Sequence, residues 1–391
     1  MEQTHKPGVS ARLLFFVTAW FWCAQYSYTQ FINPELEAMG MNAAFMGLVA
    51  GAYGFTQMLL RIPLGMLADR IGKQKPFVII GCLLTALAGA SFLLSYTPNG
   101  FLFARALAGV ASASWVSFTV LYSSYFPHAQ GPSRIAQLNA ANMSGRLIGF
   151  FLIIFIIPLL GTKSAFTFSF ICGLVALALC LPVKDSQHQR RGITLKTMLQ
   201  VARDPYLLAC SFIGILVQMV AFSTYYGFTI NVAKNLGAEG AMLSWLNIVL
   251  LVPTLIMNYL VTSRLLARFG GRILVVAGFL IAAVYCFLVP YAQNLTQLFL
   301  LNILAGFAST LTFAVLMGQS VRDIPQPLRA VGMGFYQAVY GIGMTVGPIL
   351  MGLVIDKSGM GQAFWMMALL CLASALLSFR LLGIPPKTIE Q

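Results

Sequence analysis

Long apolar stretches separated by short polar segments make up almost the whole chain of 391 residues. Most stretches have about 20 residues, the length that an α-helix needs to cross the hydrocarbon core of a bilayer. Pro34 follows the first stretch and is expected to end its helix. The pattern predicts an all-α membrane protein with twelve transmembrane spans, numbered here in chain order: 11–33, 43–66, 76–95, 99–122, 135–159, 164–182, 206–231, 241–262, 272–291, 296–318, 330–354 and 361–382.

Composition supports a membrane protein and argues against a soluble domain or a nucleic-acid-binding protein. The chain is 59% hydrophobic and 9% charged, against roughly 25% charged residues in soluble domains. Its net charge of +14 does not indicate a nucleic-acid partner, because the cations fall in the short segments between spans. The seven cysteines all lie in apolar stretches and the three histidines in polar ones, which predicts neither disulfides nor a metal site.

The distribution of the cations also predicts an orientation. If the N-terminus is inside, the outer connections hold only Lys163, Lys234 and Lys357, and the inner side holds all the other cations outside the spans. The positive-inside rule then places both termini and the central loop in the cytoplasm. We therefore expect a multi-pass protein of the cell's inner (plasma) membrane.

The two halves of the chain repeat each other at an offset of 197 or 198 residues. Ile32-Asn33 matches Ile230-Asn231, and Arg70-Ile-Gly72 matches Arg268-Phe-Gly270. Span 4 matches span 10 in the same way. The repeat predicts two pseudo-symmetric six-helix bundles, with a site between them. The expected boundaries are 1–183 for the first bundle, 184–205 for a cytoplasmic central loop and 206–391 for the second bundle.

The inner loop between spans 2 and 3 carries the sharpest motif, Gly65-Met-Leu-Ala-Asp69-Arg70-Ile-Gly72-Lys73. Gly65 would let another helix approach closely. Asp69, an acid at the membrane boundary, can pair with a cation or cap a helix N-terminus. Such a cluster can hold a transporter in one state and release it in another. The simpler alternative is a positive-inside anchor.

This loop, the twelve spans and the six-plus-six repeat resemble the major facilitator superfamily over essentially the whole chain. The resemblance implies the major facilitator fold and transport by alternating access. It assigns to Asp69 the family's loop acid, which holds the outward-open state by contacting the eleventh helix. The repeat of this loop in the second half has Ala267 at the position of the acid, so it is expected to hold one transport state less firmly. The gating residues expected are Gly65, Asp69, Arg70, Gly72, Lys73 and Arg268.

Arg146, in span 5, is the main candidate for substrate binding. It lies twelve residues beyond Arg134, about 18 Å along a helix and near the bilayer centre. An arginine there costs several kcal/mol unless it faces water, an acid or an anion. All ten acids lie at helix ends or in loops, although a pair with a carboxylate remains the alternative. Its neighbours are small or polar: Asn139, Asn142, Ser144, Gly145 and Gly149.

Two further arginines lie within spans. Arg105, followed by Gly109, resembles a pattern of proton-linked family members, which implies a role beside a proton or substrate site; snorkelling to the head groups is the alternative. Arg61 lies near the inner loop and is expected to snorkel.

The resemblance implies that spans 1, 4, 7 and 10 face a central cavity. Polar and aromatic residues on these spans could line it or could bond helices together. With Arg146, Arg105 and Asn142, the substrate-binding candidates include Gln25, Tyr26, Trp115, Gln218, Tyr225 and Asn302, and Trp22 is a further lining residue. Glu35 is the candidate for coupling, with a solvated loop acid as the simpler interpretation.

The sequence therefore predicts a secondary active transporter, symporter or antiporter, for a small organic anion or polar metabolite. The alternative is a proton-coupled exporter of amphiphilic or drug-like compounds. Such exporters carry a Gly-Pro motif in span 5, whereas here Gly347-Pro348 lies in span 11. A membrane sensor or enzyme is disfavoured because no catalytic or phosphate-binding pattern occurs. We expect no cofactor, a monomer, and lipid, substrate and protons as partners.

Overall fold

The computed structural model describes residues 8–127, 131–185 and 200–383, apart from the side chains of residues 131–133, 262, 263, 327 and 330. All regular elements in these ranges are helices. The three histidines, at positions 5, 128 and 188, and most of the predicted central loop lie outside the described residues.

Sixteen helices are numbered here along the described chain, and several spans consist of two of them. They are α1 (Val9–Tyr26), α2 (Thr29–Ala38), α3 (Ala43–Ile71), α4 (Lys75–Leu94), α5 (Pro98–Ala113), α6 (Trp115–Ser124), α7 (Gly131–Leu160), α8 (Ser164–Cys180), α9 (Pro205–Ser223), α10 (Thr229–Asn235), α11 (Ala241–Leu260), α12 (Leu266–Leu288), α13 (Leu295–Ser309), α14 (Val315–Gln319), α15 (Arg329–Ser358) and α16 (Met360–Leu381).

The predicted fold class is confirmed. Ten continuous helical stretches in the described ranges are long and apolar enough to cross a membrane, and α8 is a shorter apolar helix of 17 residues. Span 1 is divided between α1 and α2. The count of twelve spans therefore stays a prediction.

Pro34 lies inside α2 and does not end a helix, so that expectation was wrong. The chain leaves α1 at Ser27 instead and begins a new helix at Thr29. Because Pro34 is the sixth residue of this short helix, only the hydrogen bond to Gln30 is lost there.

The repeat seen in the sequence is also present in the backbone. Glycines with positive φ occur in three pairs at the same offset: Gly40 and Gly237, Gly72 and Gly270, and Gly161 and Gly359. Interruptions of the spans repeat as well. The break at Ser27 and the break at Ser114 correspond to π-helical turns at Thr224–Phe228 and Thr310–Ala314. The interrupted spans are thus 1 and 7, and 4 and 10.

The described residues divide into two compact units. The first contains residues 8–31 and 59–185, and the second contains residues 32–58 and 200–383. The first half of α3 belongs to the second unit because its glycines pack directly on α15. A Cβ atom added at Gly47 would lie 2.2 Å from the Pro348 carbonyl oxygen, and one at Gly51 2.6 Å from that of Thr345.

Candidate substrate-binding site

Arg146 lies in the middle turn of α7, a helix of 30 residues and so about 45 Å long. Its guanidinium carbon is 4.0 Å from the centroid of the Tyr26 ring, on α1. Both side chains are half-buried. A partly buried cation–π contact of this kind contributes between about 0.5 and 2 kcal/mol. The structure thus brings together two of the predicted substrate-binding residues.

The face of α7 that carries Arg146 points away from its exposed apolar face. Ile148, Phe151 and Phe155 are 45–57% exposed, as expected of side chains that contact lipid. Successive helix residues are about 100° apart, so Arg146 lies about 160° around the helix from Ile148. Asn142 lies within about 40° of Arg146 and is half-buried. The accessible part of Arg146 therefore faces the protein interior.

Glycines hold α7 against α1. A Cβ atom at Gly145 would lie 2.0 Å from the carbonyl oxygen of Ala19, and one at Gly149 would lie 3.1 Å from that of Cys23. Because the two backbones are this close, the side chain next to Gly145 lies directly over α1. The local sequence thus positions Arg146 on Tyr26.

Two tryptophans extend this site. Trp22 lies one turn before Tyr26, with 5.8 Å between the ring centroids. It packs edge-to-face on Trp115 at 5.4 Å. Both indoles are buried, and the Nε1–H of Trp22 has no acceptor among the described residues. Trp22, Tyr26, Trp115 and Arg146 are called the arginine–aromatic cluster below.

Other predicted binding residues of the first unit bond to neighbouring helices. Arg105 is buried and donates from Nη1 to the Tyr28 hydroxyl at 3.3 Å. Gln25 donates from Nε2 to Thr85 Oγ1 at 3.1 Å and to the Ala108 carbonyl at 3.2 Å. Arg105 is therefore not in a position typical of snorkelling. Arg61 is only 3% exposed, so the expected snorkelling of that residue was wrong.

The second unit contains a separate polar network. The Tyr285 hydroxyl bonds to Thr229 Oγ1 at 2.6 Å and donates to Asn302 Oδ1 at 3.2 Å. Asn302 in turn donates to the Leu246 carbonyl at 3.1 Å. Tyr225 packs edge-to-face on Tyr285. Thr229, Tyr285 and Asn302 are called the tyrosine–asparagine network below. The remaining candidate, Gln218, is buried in α9.

The predicted gating loop is built around Gly72. This residue has φ +76°, which ends α3 and reverses the chain. Asp69 Oδ1 accepts a hydrogen bond from Gln74 Nε2 at 3.2 Å. A Cβ atom at Gly65 would meet only Val116, at an ordinary 3.6 Å. The cations predicted to act here are solvent-exposed: Arg70, Lys73 and, in the second copy, Arg268.

Three polar contacts lie at the helix ends that are far from the gating loop, and each joins two helices of the second unit. Asn33 donates to Asn231 at 3.0 Å. Lys234 and Glu37 form an ion pair at 3.0 Å. Each pair joins positions that the repeat relates. Near them, Glu35 is half-buried in α2. The sequence had matched Asn33 with Asn231, but a match alone does not predict contact.

Asp356 makes the third contact, and no sequence pattern predicts that contact. Its carboxylate accepts hydrogen bonds from the backbone N–H groups of Ala43 and Ala44, both at 2.9 Å. The last turn of α15 therefore caps the N-terminus of α3. A carboxylate in this position is stabilised both by the unsatisfied N–H groups and by the helix dipole.

A cavity of about 320 Å³ lies elsewhere in the second unit. Its lining includes Arg203 and Asp204 at the start of α9 and Asp323 before α15. None of the predicted substrate-binding residues lines this cavity. Asp204 also caps α9, since it accepts hydrogen bonds from the N–H groups of Tyr206 and Leu207.

Repeated apolar helices, interrupted at equivalent positions, define a polytopic α-helical membrane protein with internal duplication. The family comparison agrees with that class. The sequence profile of the Major Facilitator Superfamily matches residues 14–232 and 211–391. The chain belongs to this superfamily and is a transporter, not an enzyme.

The relatives described next match most of the length of the chain. An uncharacterized MFS-type transporter of Methanocaldococcus jannaschii is 23% identical over 89% of this chain and 93% of its own. The multi-drug resistance efflux pump PmrA of Streptococcus pneumoniae is 24% identical over 88% of both chains. The provisionally named niacin/nicotinamide transporter NiaP of Bacillus subtilis is 24% identical over 82% of this chain and 80% of its own.

Among solved structures, the nucleoside transporter NupG has a TM-score of 0.77 at 12% identity, with 96% of this chain and 99% of that chain covered. A bacterial homolog of the human lysosomal transporter Spinster has a TM-score of 0.74 at 14% identity, with 95% and 96% covered. At these identities the likeness establishes the fold alone.

Proposed function

We propose that the protein is a secondary active transporter of the inner membrane that moves a small organic anion by alternating access. Both termini would be cytoplasmic. The observation that carries this proposal is the position of Arg146: the middle turn of α7, on the face opposite the exposed apolar side chains, half-buried against Tyr26.

The geometry of a stacked guanidinium suits an anion. Tyr26 covers one flat face of the group, whereas the five N–H donors of an arginine project from its edges. A carboxylate can accept two parallel hydrogen bonds from those edges. The surroundings have low dielectric constant, so this pairing is stronger than it would be in water. Asn142, on the same face, is a candidate for a second polar contact.

Alternating access is supported by the kind of contact at the predicted outer ends. Asn33–Asn231, Glu37–Lys234 and the Asp356 cap are hydrogen bonds or an ion pair, and each of these polar contacts can form and break at modest cost. We propose that they hold that side closed. Asp69 and its loop would act at the predicted inner side, and Glu35 would carry any proton that is coupled to transport.

Transport by purified protein in proteoliposomes tests the proposal. We expect Arg146→Ala to lower uptake of a transported carboxylate at least tenfold, because the charge and its donors are lost. Arg146→Lys should retain only part of the activity, since an ammonium cannot make the paired hydrogen bonds. Arg264→Ala, which removes an exposed arginine, is the matched control and should transport normally. Equal uptake by all four proteins would contradict the proposal.

Export of amphiphilic compounds is the second candidate, favoured by the likeness to PmrA and by the aromatic cluster. It predicts that cells lacking the protein become more susceptible to cationic or neutral drugs. It also predicts that Arg146→Ala leaves that resistance intact. An anion carrier predicts neither result.

A further inference from the structure

The arginine–aromatic cluster has more aromatic surface than a site for a simple anion requires. Trp22 contacts both Tyr26 and Trp115, with ring centroids 5.8 Å and 5.4 Å apart. Phe150, on the same helix as Arg146, packs edge-to-face on Tyr26 at 6.4 Å. The cation thus lies at one end of a group of rings, all in the first unit.

The cluster also contains a polar group that requires an acceptor. The indole of Trp22 is 6% exposed, and its Nε1–H meets no acceptor within the part of the chain that the structure describes. A buried N–H without a partner is costly, and a tryptophan inside a protein usually has one. A ligand oxygen would satisfy this donor.

We propose that the anion carried by this site is a planar aromatic or heteroaromatic carboxylate. Its carboxylate would bind Arg146 and accept a hydrogen bond from Trp22 Nε1, and its ring would pack against Tyr26 and Trp115. This inference rests on the proposed function and specifies its substrate class.

The ring geometry favours a flat ligand over an aliphatic one of equal size. Edge-to-face and offset-stacked aromatic pairs are favourable beyond the area that they bury, because the edge of one ring attracts the face of the other. A saturated ring gains the burial but not this electrostatic part. It is also thicker than an aromatic ring, so it fits less well between packed rings.

Calorimetric binding to the purified protein with three matched probes separates charge from aromaticity. Benzoate has both features, cyclohexanecarboxylate has only the charge, and benzamide has only the ring. We expect benzoate to bind at least tenfold more tightly than either of the others. Equal binding of benzoate and cyclohexanecarboxylate would overturn the aromatic assignment and leave the anion site standing.

Two other binding results would each contradict one part of the proposal. Equal binding of benzoate and benzamide would contradict the anion site itself, and with it the proposed function. No binding of any probe by a protein that transports another carboxylate would overturn this inference alone.

The Trp22→Phe variant tests the indole donor while it keeps an aromatic ring. We expect about a tenfold loss of benzoate affinity and little change for benzamide, since hydrogen bonds to charged groups are the stronger ones. Trp245→Phe, at an exposed position, is the control and should bind as the wild type does. An equal loss for both probes would overturn the role of the N–H. Should Trp22→Phe not fold, the wild-type comparison still decides the assignment.

Discussion

At the scale of single residues, burial separates two uses of polar side chains in this protein. Asn302 is 1% exposed and has hydrogen bonds on both sides of its amide. Arg146 is half-buried and stacks on a ring face. Sequence patterns alone left both as binding candidates, because a mid-span polar residue can bond helices together or contact a substrate. The packing around each residue favours the first use for Asn302 and the second for Arg146.

Tyr285→Phe tests the structural use of the tyrosine–asparagine network. The hydroxyl joins Thr229 to Asn302, and hydrogen bonds between helices in membranes average about 0.6 kcal/mol, up to about 1.7. We therefore expect a small fall in thermal stability in detergent and unchanged ligand affinity. Tyr291→Phe, at an exposed position, controls for loss of a hydroxyl. A tenfold loss of affinity at unchanged stability would instead place the network in the binding site.

Gly145→Ala should damage the contact that positions Arg146. The added methyl group would lie 2.0 Å from the Ala19 carbonyl oxygen, so α1 and α7 must move apart, at a cost of about 1–3 kcal/mol. We expect a lower melting temperature and weaker substrate binding. Gly334→Ala, where nothing lies within 4 Å of the added Cβ, should not lower stability. Equal melting temperatures for the two variants would contradict the close packing.

At the scale of helices, hydropathy was enough to place most spans, but not their interruptions. Length and apolar content predicted the ends of both α4 and α16 to within a few residues. The breaks at Ser27 and Ser114 carry no proline or glycine signal. Pro34, which does look like a terminator, lies within α2. Tertiary packing decides where these helices bend, and a single sequence contains little information about that packing.

Gly72→Ala tests the turn that ends α3. At φ +76°, a residue with a Cβ atom is strained by roughly 1–2 kcal/mol. Asparagine tolerates this conformation better. We therefore expect thermal stability to decrease in the order Gly, Asn, Ala at position 72. The same order is expected at its repeat partner, Gly270. Identical stability of the three proteins at either position would show that the turn adopts another conformation.

At the scale of the whole molecule, duplication accounts for most of what the sequence predicted. The offset found from short matches recurs in three glycine pairs and in two pairs of helix interruptions. Contacts that differ between the halves were not predictable from it. Asp356 caps α3, whereas its repeat counterpart is Pro158, which has no carboxylate.

A reversible cross-link between positions 33 and 231 tests alternating access. The two asparagines bond at 3.0 Å, so cysteines there should react together with a short bifunctional methanethiosulfonate. We expect the cross-linked double variant to stop transporting and to recover after reduction, because the predicted outer side can no longer open. Each single cysteine variant, treated in the same way, should transport normally. Full transport by the cross-linked protein would rule out the proposed movement.

The most direct test of the arginine-centred site is the thermal stability of purified wild-type and Arg146→Gln protein with a panel of carboxylates and their amides. Ligand binding raises the melting temperature of the state that binds. We expect at least one carboxylate, but not its amide, to stabilise the wild type, and we expect this stabilisation to disappear in the variant. Equal stabilisation of both proteins by the same carboxylate would contradict an anion site at Arg146.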